Sequence, residues 1–290
     1  MAKALEEASD QNWHGAVLRD LEHALVEKPW CEDIYLRGSL ARGSEDSESD
    51  IDLVVTVAED EFNAALHELC SAPPLFLRDR LPPWLDFLVR DYGGIGHVYL
   101  LQLNEQKWVQ IDIYLLPRSL RGRLVGHEPT LFLRTRKENG ECGDSMGGSI
   151  DLVRRQYEQS AANDIQQAVL SCYIAIFLLR KRLIRRDHLQ TFAGTYAAAK
   201  CVRDLTVLAC QVPEHGWRLH EAVRHSPDPA LVFAVLSAFT QWDVVDIRGL
   251  SCRVTMLHEM VGLLAPGIWR DNGTALLNLG RFLCSQPPGR

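Results

Sequence analysis

The sequence predicts an α+β protein with a small mixed sheet flanked by helices over residues 1–148 and an all-α helical bundle over residues 149–290. Three observations predict it. Four short β-rich runs fall before residue 117, interleaved with two helical patterns. Every periodic segment after residue 150 repeats at helical spacing. Between the two lies "RKENGECGDSMGGS" (136–149), a polar, glycine-rich stretch of the kind that links domains.

The elements follow in order. Residues 14–27 place Val17, Leu18, Leu21 and Leu25 at helical intervals, and "DIYLRG" (33–38) reads as a strand ending at glycine. "IDLVVTV" (51–57) is rich in β-branched residues and predicts a second strand. Residues 59–70 align Phe62, Leu66 and Leu69 on a helix face. Pro73-Pro74 and Pro82-Pro83 break regular structure, with Pro82 able to open a short helix through "WLDFLVRD". "HVYLLQL" (97–103) and "WVQIDIYLL" (108–116) predict a hairpin across the four residues "NEQK". In the second of these strands Val109, Ile111, Ile113 and Leu115 share one face, and Trp108, Gln110, Asp112 and Tyr114 the other. A long helix is expected at roughly 151–184, another at 188–211, and several shorter ones beyond.

Composition narrows the function. The chain has 290 residues and a formal charge of −7, so no global field draws it to nucleic acid or to an anionic membrane. The charge is uneven: residues 1–149 hold 26 Asp+Glu against 15 Lys+Arg, and residues 150–290 hold 12 against 16. No run approaches the roughly 18 apolar residues of a membrane span, and the first ten residues lack a signal-peptide core, so a cytoplasmic protein without membrane association is expected. The eight cysteines are scattered with no C-x-x-C pair, which argues for reduced, packed thiols.

The chemistry concentrates in "RGSLARGSEDSESDID" (37–52). On a strand, residues two apart share a face, so Asp50 and Asp52 point the same way while Ile51, Leu53 and Val55 point into the core. Asp112 also lies opposite an apolar set. If the two strands are neighbours, three carboxylates meet on one face, a repulsive arrangement unless a cation binds there. Magnesium takes such oxygen ligands together with substrate phosphates. Gly38 permits close backbone approach to a phosphate, Ser39 adds a hydroxyl, and "LARG" can open a short helix.

"GS" followed by "SDID", with a later lone Asp between apolar residues in "VQIDIYLLP", resembles the nucleotidyltransferase superfamily that includes DNA polymerase β. Within it, the run "RGSLARGSEDSESDIDLVV" looks like the minimal branch of aminoglycoside and lincosamide adenylyltransferases and nucleotidyltransferase toxins. The resemblance implies a catalytic domain at 1–148 and a helical domain at 149–290 that closes on substrate or nucleotide. It implies two Mg2+ ions, and ATP or another nucleoside triphosphate as co-substrate. An acceptor hydroxyl attacks the α-phosphorus and pyrophosphate leaves. Asp50 and Asp52 would be metal ligands, and Gly38 and Ser39 would hold phosphates. Asp112 would be a ligand, the base, or both. Arg42 reaches a phosphate or pairs with a nearby acid, and Ser49 touches the nucleotide or caps the strand.

In the second half Lys200 is a candidate nucleotide contact, set against an ordinary surface lysine. Trp242, Asp243 and Asp246 could grip a cationic sugar, or be a partly buried ring beside surface acids. "LLRKRLIRRDH" (178–188) ends a helix with a basic cluster that is either solvated or a triphosphate or RNA contact. The expected partners are therefore a nucleoside triphosphate and a small cationic acceptor such as an aminoglycoside. The alternative is a tRNA or protein acceptor.

Overall fold

The computed structural model describes residues 13–71, 81–87, 89–104, 107–122, 130–135, 147–211, 219–240 and 246–285. The chain divides into two compact units, Met1–Ala161 and Ala162–Arg290.

The first unit is a six-stranded mixed sheet flanked by helices. In chain order it contains α1 (Trp13–Val26), β1 (Cys31–Arg37), α2 (Gly38–Arg42), β2 (Ile51–Val57), α3 (Phe62–Ser71), β3 (Trp84–Asp86), β4 (Ile95–Asn104), β5 (Lys107–Pro117), β6 (Leu131–Thr135) and α4 (Gly147–Ala162). The strand order is β3-β4-β5-β2-β1-β6. β2 and β5 run parallel, and the other pairs are antiparallel.

Alternation decides which residues face the core. Ile51, Leu53, Val55 and Val57 of β2 join Ile111, Ile113 and Leu115 of β5 and Ile34 and Leu36 of β1. Leu21 and Leu25 of α1, Leu66 and Leu69 of α3 and Ile150 of α4 cover them. Each such side chain, fully buried, contributes about 1.5–3 kcal/mol. The opposite face carries a smaller apolar cluster of Tyr35, Val54, Val89, Tyr114 and Leu116. It also holds the buried Val98, Leu100 and Trp108 and the polar Arg37, Asp52, Gln110 and Asp112.

Four local expectations change. The proline-led segment is an edge strand, β3, instead of a helix: Leu85 enters the core and Trp84 and Asp86 pair with Val98 and Gly96 of β4. Sheet pairing overrides the local pattern there. The β4–β5 ladder continues to Asn104↔Lys107, so only positions 105 and 106 connect the strands. β6, which was not expected, pairs with β1 at the sheet edge. The long helix at 151–184 is two helices, because the Asp164 carboxylate accepts the Gln166 N–H at 2.7 Å and caps a new start. Of the glycine-rich stretch, residues 136–146 lie outside the described residues, and residues 147–149 begin α4.

The second unit is helical: α5 (Ile165–Arg185), α6 (His188–Ala209), α7 (Leu219–His225), α8 (Pro229–Thr240), α9 (Ile247–Leu264) and α10 (Pro266–Cys284). α5 supplies its centre with Val169, Tyr173, Ile176 and Leu179. The basic cluster at the end of α5 divides. Arg180 and Lys181 are buried, with the Arg180 guanidinium 4.1 Å from the centre of the Phe282 ring and the Lys181 ammonium 5.1 Å from that of Phe177. Arg185 and Arg186 are exposed. Helix packing around α5, invisible in the local charge pattern, made that division. Among the described residues no single helix is long and apolar enough to cross a membrane.

Candidate active site

The polar face of the sheet gathers Arg37, Asp52 and Asp112 in one row. Arg37 and Asp52 are register partners across β1 and β2, and Asp52 and Asp112 across β2 and β5. Neighbouring strands lie about 4.8 Å apart, so two carboxylates are held side by side. Asp50 stands immediately before β2 and is half-buried.

Gly38 sits at the end of β1 with φ +73°, a left-handed conformation that glycine adopts without steric cost. A Cβ built there would overlap the Asp52 Oδ2 and lie 3.1 Å from its Cγ. The turn into α2 is therefore packed against the Asp52 carboxylate, and glycine makes the space. Ser39 follows in the first turn of α2, half-exposed, and Arg42 is exposed at its end.

The acidic loop is built by its own short-range bonds. The Asp46 carboxylate accepts the Glu48 N–H at 3.0 Å and the Ser49 hydroxyl at 3.1 Å, and the Asp46 N–H donates to the Ser49 hydroxyl oxygen at 2.9 Å. Ser49 is buried, and its hydroxyl is engaged inside the loop. The His14 Nε2–H donates to the Ser49 carbonyl at 3.0 Å, tying the loop to α1. Burial holds the His14 imidazole below its ordinary range, opposed by that carbonyl contact.

Asp112 is only 5% exposed. The Gln110 amide donates to both of its oxygens at 2.9 and 3.0 Å, and the Tyr114 hydroxyl donates at 3.2 Å. The Tyr114 oxygen is also 3.4 Å from an oxygen of Asp86 on β3. Burial raises the Tyr114 phenol far above its ordinary value, and the carboxylates of Asp112, Asp86 and Asp52 push it further, against the Arg37 charge. That direction favours the protonated phenol, the form that donates to Asp112. Its ring lies 5.0 Å from the Arg37 guanidinium. Gly96 of β4 admits the ring, since a Cβ there would come within 2.7 Å of it.

Arg37, Asp86, Gln110 and Tyr114 escaped the sequence reading as site residues. The alternation of β5 placed Gln110 and Tyr114 on the face of Asp112. Nothing local placed Asp86 or Arg37 beside them, because β3 and β1 reach this face only through cross-strand register.

Among the described residues no group of three His, Cys, Asp or Glu stands ready to hold a metal ion. The Asp52–Asp112 pair with Asp50 nearby still fits a hard divalent cation in kind. Its donors are all carboxylate oxygens, and magnesium is commonly held by one or two carboxylates plus substrate phosphates.

The second-half candidates lie apart in sequence and in their own unit. Lys200 is exposed on α6, and its ammonium donates to Asp204 at 2.7 Å. Asp246 caps α9, accepting the Gly249 N–H at 2.6 Å. Trp242 and Asp243 lie outside the described residues.

Residues 18–95 match the model of a family described as a nucleotidyltransferase domain, a span that contains β1, the acidic loop, β2 and β3. No curated protein matches the chain. Among solved structures, a nucleotidyltransferase-like protein from Exiguobacterium sibiricum 255-15 is similar at 12% identity, over 92% of this chain and 77% of that one, with a TM-score of 0.23. The family match falls on the strands that position Asp52, and it supports a transferase enzyme whose general reaction is nucleotidyl transfer.

Proposed function

We propose that the first unit transfers a nucleoside monophosphate from ATP, or another nucleoside triphosphate, to a hydroxyl group of an acceptor in a magnesium-dependent reaction. The observation that carries this reading is the register pairing of Asp52 with Asp112 beside the Gly38–Ser39 turn. Asp50 and Asp52, with Asp112, would hold magnesium, which when bound neutralises triphosphate charge and stabilises the leaving pyrophosphate. Gly38 and Ser39, with Arg42 at the margin, would face the phosphates, Ser49 would support the loop from inside through its bonds to Asp46, and Lys200 is the candidate from the second unit. An acceptor O–P bond forms at the α-phosphorus as the bond to pyrophosphate breaks, and the hydroxyl proton leaves to a base. Gln110 and Tyr114 orient Asp112 for its part in this site.

For the acceptor we propose a small hydroxylated cation of the aminoglycoside kind. Its support is the acid excess of residues 1–149, 26 against 15, which attracts cations and repels phosphate backbones. Trp242, Asp243 and Asp246 would contribute to its grip, although the Asp246 carboxylate is engaged as a helix cap. A second reading, transfer to tRNA or protein, is favoured by one observation: α6 presents exposed aromatic rings between basic ends. A cytoplasmic setting accords with eight cysteines scattered through the sequence with no C-x-x-C spacing.

The test is incubation with α-labelled ATP, GTP, CTP and UTP plus Mg2+, against aminoglycosides, lincosamides and total tRNA. A labelled drug supports the first acceptor and labelled tRNA the second. No labelled product of any kind would remove the transfer reading.

A further inference from the structure

Arg37 occupies a place that the transfer reaction alone does not explain. On the face of the sheet that carries the candidate site, β1 contributes Tyr35 and Arg37, β2 contributes Asp52 and Val54, and β5 contributes Asp112 and Tyr114. Register sets these in two adjacent rows, Arg37–Asp52–Asp112 and Tyr35–Val54–Tyr114.

β1 and β5 are not neighbours. β2 lies between them, so they stand about 10 Å apart. The Arg37 guanidinium is nevertheless 5.0 Å from the centre of the Tyr114 ring. The side chain therefore crosses β2 on the face that carries Asp52, and it is half-buried. Both residues it approaches belong to the site. Asp52 is its register partner, and the Tyr114 hydroxyl donates to Asp112 at 3.2 Å.

Charge gives this crossing a purpose. Asp52 and Asp112 repel each other across the ladder, and half-buried charges are weakly screened by salt. A guanidinium stays charged throughout the working pH range, is weakly hydrated and lies flat on an aromatic ring. One positive charge does not neutralise two carboxylates, so the row keeps a net negative charge and still attracts a divalent cation. Arg37 then has two opposed effects. It offsets the repulsion within the pair, and it repels a divalent cation that approaches the same carboxylates.

We propose that Arg37 is a built-in counter-cation of the Asp52–Asp112 pair, a positioning residue that keeps the site assembled without a divalent metal and weakens the binding of one. The inference rests on the metal-dependent transfer reading and deepens it. Magnesium is then held loosely by the carboxylates alone and firmly only together with a triphosphate, whose oxygens complete its ligand set.

The experiment uses the full chain without nucleotide. Mn2+ affinity is read by electron paramagnetic resonance, and the thermal midpoint by circular dichroism in EDTA and in Mn2+. Arg37→Gln should bind Mn2+ at least about threefold more tightly than wild type. Its midpoint should fall in EDTA, and Mn2+ should raise that midpoint by more than it raises that of wild type. Arg37→Lys keeps the charge, so its Mn2+ affinity should return close to the wild-type value. An arginine needed only for packing would not hold metal affinity down. A cycle with Asp52→Asn tests the same relation in EDTA. In that background Arg37→Gln should lose at most about half of the midpoint that it loses in wild type, because one of the charges that Arg37 offsets is gone. Three results overturn the proposal: Mn2+ binding by Arg37→Gln no tighter than wild type, an Arg37→Lys affinity equal to that of Arg37→Gln, or equal midpoint losses in the two backgrounds. Should Arg37→Gln fail to fold in EDTA, adding Asp52→Asn should restore folding, and an unfolded double variant would overturn the proposal as well. Transfer that requires Mg2+, in a protein whose metal affinity Arg37→Gln does not raise, would remove this role of Arg37 alone. Absence of Mn2+ binding by both proteins would remove it together with the metal reading.

Discussion

Asp52 and Asp112 are direct partners in the parallel ladder between β2 and β5, with both side chains on the polar face of the sheet. Two like charges on adjacent strands are destabilising unless something compensates them. Here Gln110 and Tyr114 donate to one, Gly38 opens space for the other, and Arg37 is the register partner of Asp52 on its far side.

Replacing Asp50 and Asp52 together with Asn should reduce transfer to less than about a tenth of wild type, because losing a metal site costs several kcal/mol of transition-state stabilisation. Circular dichroism should show an unchanged fold. The labelled-nucleotide assay decides, and near-normal turnover in the double variant would remove both residues from the site.

Gly38→Ala should destabilise the protein by about 1–2 kcal/mol through the left-handed backbone alone. It should also displace the Asp52 carboxylate that its Cβ would overlap. The expected outcome is a lower thermal midpoint together with a loss of turnover. An alanine variant with normal stability would contradict the cradle.

Tyr114→Phe removes the hydroxyl that donates to Asp112 and lies beside Asp86. Bonds to charged groups contribute about 1.5–3 kcal/mol, so urea denaturation should show a loss of that order. In wild type, the raised phenol should show no ionisation by ultraviolet absorbance below the pH at which the protein unfolds.

His97 is fully buried beside Cys70, with its Nε2 3.4 Å from the Cys70 sulfur. Burial lowers its pKa from 6.5 to about 4. The unfolded chain binds a proton here that the folded chain refuses between those values, so stability falls as pH drops from about 6.5 to 4. The loss should approach about 3 kcal/mol. Comparing urea midpoints at pH 7 and pH 4.5 for wild type and His97→Leu checks it, and the variant should show the smaller difference between the two pH values.

α4 belongs to the first unit, where Ile150 is buried in its core with Val153 and Tyr157 packed against it. A fragment of residues 1–161 should therefore fold more stably than one of residues 1–148. The lost burial of Ile150 alone is worth about 2 kcal/mol. Equal urea midpoints for the two fragments would show that α4 contributes nothing.

The sequence by itself determined what depends on near neighbours. The β-branched run fixed β2 at 51–57 because alternation and side-chain stiffness are local properties. The same alternation put Asp52 and Asp112 opposite the apolar faces of their strands, and helical periodicity located α1, α3 and α6. The Asp164 cap is present in the sequence too, but the helical periodicity continues on both sides of it and masks the break. Tertiary structure decided the rest, because cross-strand register joins residues far apart in the chain. It set Asp52 against Asp112, brought Asp86 and Arg37 to the same face, and drew the proline-led segment into the sheet edge. The close packing of Gly38 against the Asp52 carboxylate is likewise a product of the β1–β2 pairing. Arg180 and Lys181 lie inside the helical unit while Arg185 and Arg186, a turn further on, lie outside. A run of basic residues reads alike along its length, and only the helices packed around α5 determine which of those charges meet water.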